Sequence, residues 1–388
     1  MTTRSLDVKL ERILADPACG EFILADAKDA DMAHGMAAPG RSPEHHAHEG
    51  RFRTLDEYRQ LIRENVAQGL VDIMLMSAST NDVLTLRERL FDGSHVTPAI
   101  RANDTTDIWL AAGAVYAEQP ARPFRSATID HAMCGKVHCE PHERSLGANL
   151  GLYSVTFNND LERDLQTLER YAGFRAEAEA KGFRHFLEVF EPNAPQAAIP
   201  ELPRFLNDMI VRTLAGVAGK GRPVFLKVPY HGPAAMEQLA GYDRSLIVGI
   251  LGGSSGTTFD AFHQLWEARR HGARVALYGR MINNAEHQST FIRYLRALAH
   301  DEIAPAEAVR AYHGDLATLG ITPYRTLNDD LQPTLRASSY DGPAAVAVPA
   351  LPAGMKQANG DGGSPDFTAM SQADKVRWNL ERWRKVLD

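Results

Sequence analysis

The apolar positions of this chain fall into short runs, separated by longer segments in which apolar residues have helical spacing. The runs are rich in Val, Ile and Leu and do not alternate clearly with polar residues, which is typical of strands covered on both faces. The pattern is clearest over residues 222–284, where three runs enclose two helical segments, 232–240 and 258–271. This order of strands and helices predicts a parallel sheet.

The alternation continues over residues 1–320 and provides eight strand-like runs. No Gly-x-Gly-x-x-Gly turn follows the first run, which disfavours an open dinucleotide-binding sheet. We therefore predict an α/β fold, a (β/α)8 TIM barrel over residues 1–320. The eight runs, with the residues that end them, lie at 21–31, 71–77, 97–103, 152–157, 186–192, 223–230, 245–258 and 273–284.

Three segments depart from the barrel pattern. Residues 104–146 are too long for one ordinary helix, so we expect an insertion after the third strand. Residues 338–366 have the Ala, Pro, Gly and Ser content of a flexible linker. Residues 367–388 contain an amphipathic helix, which we expect to dock on its own barrel or on a neighbouring subunit. The apolar stripe of that helix consists of Val376, Leu380, Trp383 and Leu387.

The composition narrows the class of protein. The 388 residues are 44% hydrophobic, enough for one large domain with additions. The net charge of -7 does not indicate the basic surface that binds nucleic acid. No apolar run approaches the length of a membrane span. Three cysteines are too few for a disulfide framework and favour a reducing compartment. We expect a cytoplasmic protein without nucleic-acid or membrane partners.

Lys227 is the most unusual residue of the strand-like runs, because it lies inside an apolar one. A buried ammonium is costly unless it is paired or loses its proton, and the neutral amine is the nucleophile that forms a Schiff base. Glu188 occupies a similar place in the preceding run. A lysine and a carboxylate on adjacent strands can form an imine and shuttle protons, or can be a structural ion pair.

Glycine-rich turns follow the last two runs. Small residues allow backbone N–H groups to converge on an anion, and the start of the next helix adds its positive dipole end. In α/β barrels a phosphate site is commonly built after the seventh and eighth strands. The candidate phosphate-binding residues are Gly252, Gly253, Ser254, Gly279 and Arg280.

The first run ends in carboxylates, with Asp26 followed by Asp29 and Asp31. Acids at the carboxyl end of a barrel strand face the active mouth. These carboxylates therefore either line the mouth or belong to a solvated loop.

Two histidine-containing segments are candidates for metal binding. His45, His46 and His48 lie in a polar loop that we expect to cover the mouth, and a second group follows the third strand. The spacing of the second group matches no zinc finger or ribbon, so a structural zinc and an ordinary loop both remain open. Its possible ligands are Cys134, His138, Cys139 and His142.

The runs around Glu188, Lys227, Gly252-Gly253 and Gly279-Arg280 resemble the fifth to eighth strands of the class I (Schiff-base) aldolases. They are most similar to bacterial tagatose-bisphosphate aldolases and archaeal-type fructose-bisphosphate aldolases. The resemblance implies that Lys227 forms the imine, that Glu188 is the acid/base, and that the glycine turns and Arg280 hold a phosphate. It also implies that Asp26, or Asp29 if the register is shifted, is the catalytic acid of the first strand. It implies a carbohydrate-metabolising lyase that acts on a phosphorylated ketose without a metal or other cofactor, and we expect a homo-oligomer.

The sequence also departs from this family. Glu191 is the residue nearest to the tyrosine that the archaeal-type enzymes carry on strand five, and residues 104–146 have little similarity. Two other functions remain open: a metal-dependent barrel enzyme that uses the histidines, and a regulatory barrel that binds a phosphorylated ligand without turnover.

Overall fold

The computed structural model describes residues 3–16, 18–41, 52–253 and 256–334. His45, His46, His48, Ser254 and the expected linker and terminal helix lie outside these ranges, so the expectations about them stay predictions.

Eight parallel strands form a closed barrel in the order β1-β2-β3-β6-β7-β8-β9-β10, and β4 pairs with β5 in a separate antiparallel sheet. The (β/α)8 fold is therefore confirmed, with an insertion between the third and fourth barrel strands. The strands are β1 (Ile23–Lys28), β2 (Ile73–Met76), β3 (Thr97–Arg101), β4 (Asp104–Thr105), β5 (Pro123–Phe124), β6 (Leu150–Thr156), β7 (Arg184–Phe190), β8 (Leu226–Val228), β9 (Val248–Leu251) and β10 (Val275–Tyr278).

Helices cover the outside of the barrel. They are α1 (Ser5–Ala15), α2 (Leu55–Gln68), α3 (Ala78–Asn81), α4 (Ile129–Cys134), α5 (Leu161–Lys181), α6 (Leu202–Ala215), α7 (Pro233–Tyr242), α8 (Thr258–Arg270), α9 (Arg280–Asn283), α10 (Gln288–Ala299), α11 (Pro305–Thr318) and α12 (Leu327–Asp330). A π-helical segment, Asp82–Arg87, follows α3, and 3-10 turns lie at Ala30–Met32, Gly35–Ala37, Tyr116–Glu118, Pro141–Glu143 and Gly219–Gly221. Thr54 and Glu57 cap α2 reciprocally, as a Thr-x-x-Glu sequence predicts. Within the described residues, no helix is both long and apolar enough to cross a membrane.

The inner face of the barrel is apolar at the amino ends of the strands and polar at the carboxyl ends. Its apolar cluster includes Ile23, Ala25, Leu75, Ala99, Leu152, Phe186 and Phe225, together with Leu6, Leu10 and Ile13 of α1. Successive side chains of a strand point to opposite faces. Two residues beyond Ala99, Leu152, Phe186 and Phe225 lie Arg101, Ser154, Glu188 and Lys227, so these four polar side chains share the inner face.

The insertion between β3 and β6 contacts the loops at the carboxyl ends of other strands. The backbone N–H of Leu110 donates to Ala33 O over 2.7 Å, which joins the insertion to the loop after β1. Asn193, in the loop after β7, donates through Nδ2 to Ala117 O and Gln119 O over 2.8 and 2.7 Å. The insertion is thus attached to the same end of the barrel as the polar inner residues.

The two cysteines of the insertion are joined. A disulfide links Cys134 and Cys139 with 5.9 Å between their Cα atoms, whereas Cys19 is a free thiol. From the three cysteines we expected a reducing compartment and no disulfide framework. The single disulfide differs from that expectation. Gly135 ends α4 with a left-handed φ of 74°, which turns the chain back and brings the two sulfur atoms together. Within the described residues, no three His, Cys, Asp or Glu side chains are grouped as metal ligands.

Candidate active site

Lys227 and Glu188 form an ion pair on the inner face at the carboxyl end of the barrel. They face each other across the β7–β8 ladder, and 2.5 Å separates Lys227 Nζ from Glu188 Oε1. On its other side, Lys227 is in register with Gly249 of β9, which has no side chain. Glu188 is 1% exposed and Lys227 is 7% exposed. Both side chains are therefore largely shielded from water. The small exposed part of Lys227 is where a ligand at the mouth could contact the pair.

The second oxygen of Glu188 is held by neighbouring strands. Ser154 Oγ donates to Glu188 Oε2 over 2.6 Å, and Arg101 Nη2 lies 3.5 Å from the same oxygen. Arg101 also donates from Nη1 to Ser154 Oγ over 3.0 Å and from Nε to Asp29 Oδ2 over 2.6 Å. We call these five residues the mouth network: Asp29, Arg101, Ser154, Glu188 and Lys227.

The charges of the mouth network alternate in sign and stabilise one another. Burial by itself favours the neutral form of Asp29, but Arg101 and Lys227 outweigh it and hold the pKa of Asp29 below its ordinary value. Burial opposes the charge of Arg101 as well, yet Asp29 and Glu188 raise the pKa of Arg101. Asp29 and Arg101 are therefore charged at neutral pH.

Asp26 is not part of this network, which corrects the register taken for the first strand. Asp26 alternates with the inner residues Ala25 and Ala27 and thus points outward to the helices. Its Oδ1 lies 3.0 Å from Lys28 Nζ, and its Oδ2 accepts from Asn65 Nδ2 of α2 over 2.8 Å. Burial raises the pKa of Asp26 against the opposing effect of Lys28. The acid of this strand that reaches the mouth is Asp29.

The buried contacts of Asp26 instead support the wall of the mouth. Asn65 Nδ2 also donates to Gln288 Oε1 over 3.1 Å, and Gln288 Nε2 donates to Asn283 O over 3.2 Å. Asn283 Nδ2 then donates to Ala38 O in the loop after β1 over 3.1 Å. This chain of contacts connects β1, α2 and α10 to α9, whose first residue is Arg280.

The glycine turns lie where backbone segments approach closely. The N–H of Gly252 donates to Leu277 O over 2.9 Å, and a Cβ on Gly252 would lie 2.2 Å from the Tyr278 ring. A Cβ on Gly279 would lie 3.0 Å from Ala27 O, and Gly253 has a φ of +57°. Side chains at 252 and 279 would therefore require the neighbouring strand to move, so the turn can be built only with glycine.

Arg280 follows directly after Gly279 and is half-buried at the mouth. Burial lowers the pKa of His34 to about 4, and the positive charge of Arg280 acts in the same direction. Arg280 therefore lies close enough to the loop after β1 to act on His34 electrostatically. Asp29 and Arg101 also act on His34, so this imidazole is near both Arg280 and the mouth network, and it is neutral at neutral pH.

The amino end of α8 differs from the expected anion site, because carboxylates of the chain already occupy it. Asp330 Oδ1 accepts from Thr258 N over 2.8 Å, and Asp260 Oδ2 accepts from Thr257 N over 2.9 Å. Two negative charges at this end oppose the binding of another anion there. A phosphate bound at the mouth has to use the turn before Thr257 and the neighbourhood of Arg280.

Several polar residues at the mouth were not identified from the sequence. Arg101 carried the same signal as Lys227, a charge inside an apolar run, and Ser77 and Ser154 end runs of inner residues. Ser77 Oγ donates to Asp31 Oδ2 over 2.5 Å, and burial raises the pKa of Asp31 to about 6. Glu191 Oε1 lies 3.3 Å from His231 Nε2, a contact that the sequence did not reveal, and burial lowers the pKa of His231.

No family model and no curated protein matches the chain. Solved structures do. An archaeal fructose 1,6-bisphosphate aldolase matches with a TM-score of 0.53 and 15% identity, over 76% of this chain and 99% of that one. An archaeal fructose-1,6-bisphosphate aldolase with its catalytic lysine bound to the carbinolamine matches with a TM-score of 0.54 and 17% identity, over 75% and 99%.

The chain shares its barrel fold with these fructose-bisphosphate aldolases. A fructose-bisphosphate aldolase from Slackia heliotrinireducens also matches, with a TM-score of 0.54 and 16% identity, over 79% of this chain and 89% of that one. The predicted resemblance to aldolases is thus confirmed for the fold.

Proposed function

We propose that this protein is a class I aldolase-type lyase, which cleaves or forms a C–C bond in a phosphorylated ketose through a Schiff base on Lys227. The observation that carries the proposal is the 2.5 Å contact of Lys227 with Glu188 at the carboxyl end of the barrel. The pair lies at the end of the barrel where the active sites of this fold are built. The same fold in the matched aldolases supports a lyase.

The reaction begins with a proton transfer. Glu188 Oε1 takes a proton from Lys227, and the neutral amine attacks the carbonyl carbon of the ketose to form a carbinolamine. Glu188 returns the proton to the carbinolamine hydroxyl, water leaves, and a protonated imine remains. Glu188 is then a carboxylate again and can act as a base.

C–C bond cleavage uses the same two residues. Glu188 takes the proton of the substrate hydroxyl beside the breaking bond, and the electron pair of that bond moves into the imine to give an enamine. Asp29, already ionised beside Arg101, stabilises the positive imine as a counter-ion. It takes the strand-one role that the sequence had assigned to Asp26.

The phosphate of the substrate would bind on the other side of the mouth. The turn that begins with Gly252, Gly253 and Ser254, the start of α9 at Gly279, and the guanidinium of Arg280 would supply this site. The N–H of Gly252 already donates to Leu277 O, so the backbone donors would come from the residues that follow it. Binding a remote phosphate positions the reacting carbon against Lys227.

The test is reductive trapping of the imine. The protein is incubated with a panel of ketose phosphates and borohydride in the presence of excess chelator, since this mechanism uses no metal. We expect the intact mass to rise by one reduced ligand and peptide mapping to place the adduct on Lys227. Adduct formation at another lysine, or none with any ketose phosphate, would contradict the proposal.

A further inference from the structure

We propose that Arg101 is a positioning residue that gives the two carboxylates of the mouth network, Asp29 and Glu188, different roles in the reaction. It keeps Asp29 as the permanent counter-ion of the imine and leaves Glu188 as the group that exchanges protons. The inference rests on the proposed function, because it assigns roles within the same imine chemistry.

The nitrogen atoms of Arg101 are distributed unequally between the two acids. Nε donates to Asp29 over 2.6 Å, a charge-assisted hydrogen bond of the strong kind, whereas Nη2 lies 3.5 Å from Glu188. The carboxylate of Asp29 is therefore held by the guanidinium of Arg101. Glu188 contacts the guanidinium only at the longer distance, so its carboxylate is not held by a hydrogen bond of that strength.

Ser154 fixes which oxygen of Glu188 exchanges that proton. Its hydroxyl accepts from Arg101 Nη1 over 3.0 Å, so its single hydrogen is directed to Glu188 Oε2, 2.6 Å away. Oε2 is thus occupied as an acceptor. Oε1, which lies 2.5 Å from Lys227 Nζ, is the oxygen available for proton transfer.

The charges around Glu188 show what the loss of Arg101 would do. Glu188 faces Lys227 from β8 and Arg101 from β3, while Asp29 from the end of β1 and Asp104 from β4 face Arg101. His34, in the loop after β1, is close to both Arg101 and Asp29. Without Arg101, Asp29 and Glu188 would share Lys227 as their cation. Two acids with one cation compete for protons, and the division of roles is lost.

The experiment measures the pH dependence of adduct formation. Dihydroxyacetone phosphate and cyanoborohydride are used as probes, and the trapping rate of each variant is divided by that of the wild type at the same pH. The acid limb is the part of the pH–rate profile in which the trapping rate falls as the pH is lowered. In Arg101→Gln, this limb should move to higher pH by about one unit, because a carboxylate without a nearby cation holds its proton more tightly. Arg101→Lys, which retains the charge, should bring the limb back toward the wild-type position.

A structural role for Arg101 predicts a different result. It would lower the trapping rate equally at every pH and leave the limb in place, and that result would overturn the proposal. Ser154→Ala covers the case in which Arg101→Gln does not fold, since it keeps every charge and removes only the hydroxyl. Its limb should move in the same direction by a smaller amount, and an unmoved limb in this folded variant would equally overturn the proposal.

The same experiment separates this inference from the proposed function. Absence of an adduct in the wild type refutes the Schiff-base mechanism and the inference with it. An adduct in the wild type, with an unmoved limb in the variants, refutes only the role of Arg101.

Discussion

The two sides of the barrel mouth consist of different kinds of groups, which are side chains on strands on one side and loop segments on the other. The imine side, which is the mouth network, consists of side chains that stand on β3, β6, β7 and β8 or directly after β1. The anion side consists of a glycine turn after β9 and a four-residue helix after β10. On the imine side, four ionised or ionisable groups and one hydroxyl bond to each other. On the anion side, the candidate groups are backbone donors and one guanidinium, that of Arg280.

This difference follows from the chemistry that each side is proposed to perform. Proton transfer between Lys227 and Glu188 needs two atoms held at hydrogen-bond distance, and adjacent strands in register supply that. A phosphate presents several equivalent oxygens, so backbone donors and a planar guanidinium can bind it from a loop. The amino end of α8 adds to the contrast, because carboxylates of the chain already accept from its first N–H groups.

The largest expected effect is the loss of the imine itself. Lys227→Met keeps an unbranched side chain but removes the amine, so no adduct and no C–C bond cleavage should remain. Intact mass after borohydride reduction with dihydroxyacetone phosphate measures this. Lys220→Met, which removes an exposed lysine from the turn before β8, is the matched control and should form the adduct normally. An adduct that survives in Lys227→Met would place the chemistry elsewhere.

Glu188→Gln should slow adduct formation without abolishing it. Glutamine keeps the shape and can still accept from Ser154, but it cannot take a proton from Lys227. Loss of a general acid/base typically costs about 10²- to 10⁴-fold in rate. Single-turnover trapping measures the change, with Glu237→Gln, on an exposed part of α7, as the control. A wild-type rate in Glu188→Gln would mean that another group moves the proton.

Asp26 and Asp29 lie three residues apart and provide a test of the strand register. Asp26→Asn leaves the fully buried Lys28 without a counter-charge and should lower the free energy of unfolding by about 3–5 kcal/mol. Its trapping rate per folded molecule should remain that of the wild type, because Asp26 points away from the mouth.

Asp29→Asn should instead reduce the trapping rate per folded molecule by about a hundredfold, since the imine loses its counter-ion. It will also destabilise the fold, because Arg101 loses its partner. Urea unfolding therefore gives the folded fraction of both variants before their rates are compared. A larger rate loss in Asp26→Asn than in Asp29→Asn would reverse the assignment.

The sequence identified the strands, Lys227 and Glu188 because a charge inside an apolar run is locally visible. It did not settle the register of the first strand. The residues Ile23, Leu24 and Ala25 are apolar on both faces, so period-two alternation cannot tell which face is inside until the positions of α2 and α10 are known. Arg101 was detectable by the same argument as Lys227, since it too lies in an apolar run.

Other features depend on residues that are distant in the sequence. Asp330 caps α8 from 72 positions along the chain, and no local pattern of charges predicts that contact. Asn193 donates a hydrogen bond to Ala117 O, which is 76 positions away in the sequence. No local pattern predicts this attachment of the insertion to the loop after β7 either. Tertiary contacts of this kind decide which backbone donors a ligand can use, and the anion side was therefore less predictable than the imine side.

The smallest expected effect concerns Arg280 and is confined to one class of ligand. Arg280→Ala removes a charge-assisted, often bidentate contact to phosphate, which is worth roughly 2–4 kcal/mol when one partner of a desolvated charge pair is lost. Binding of dihydroxyacetone phosphate should weaken by tens of times to about a thousandfold. Trapping of hydroxyacetone, which has no phosphate, should barely change, because the mouth network is intact.

The control for this variant is Arg244→Ala, an exposed arginine in the turn before β9, at the opposite end of the barrel. It carries the same change in net charge, so it measures the long-range electrostatic effect alone. If both variants bind dihydroxyacetone phosphate as tightly as the wild type does, Arg280 does not select the phosphate. If Arg280→Ala also slows hydroxyacetone, Arg280 acts on the imine side through His34 or Asp29, and the separation of the mouth into two sides fails.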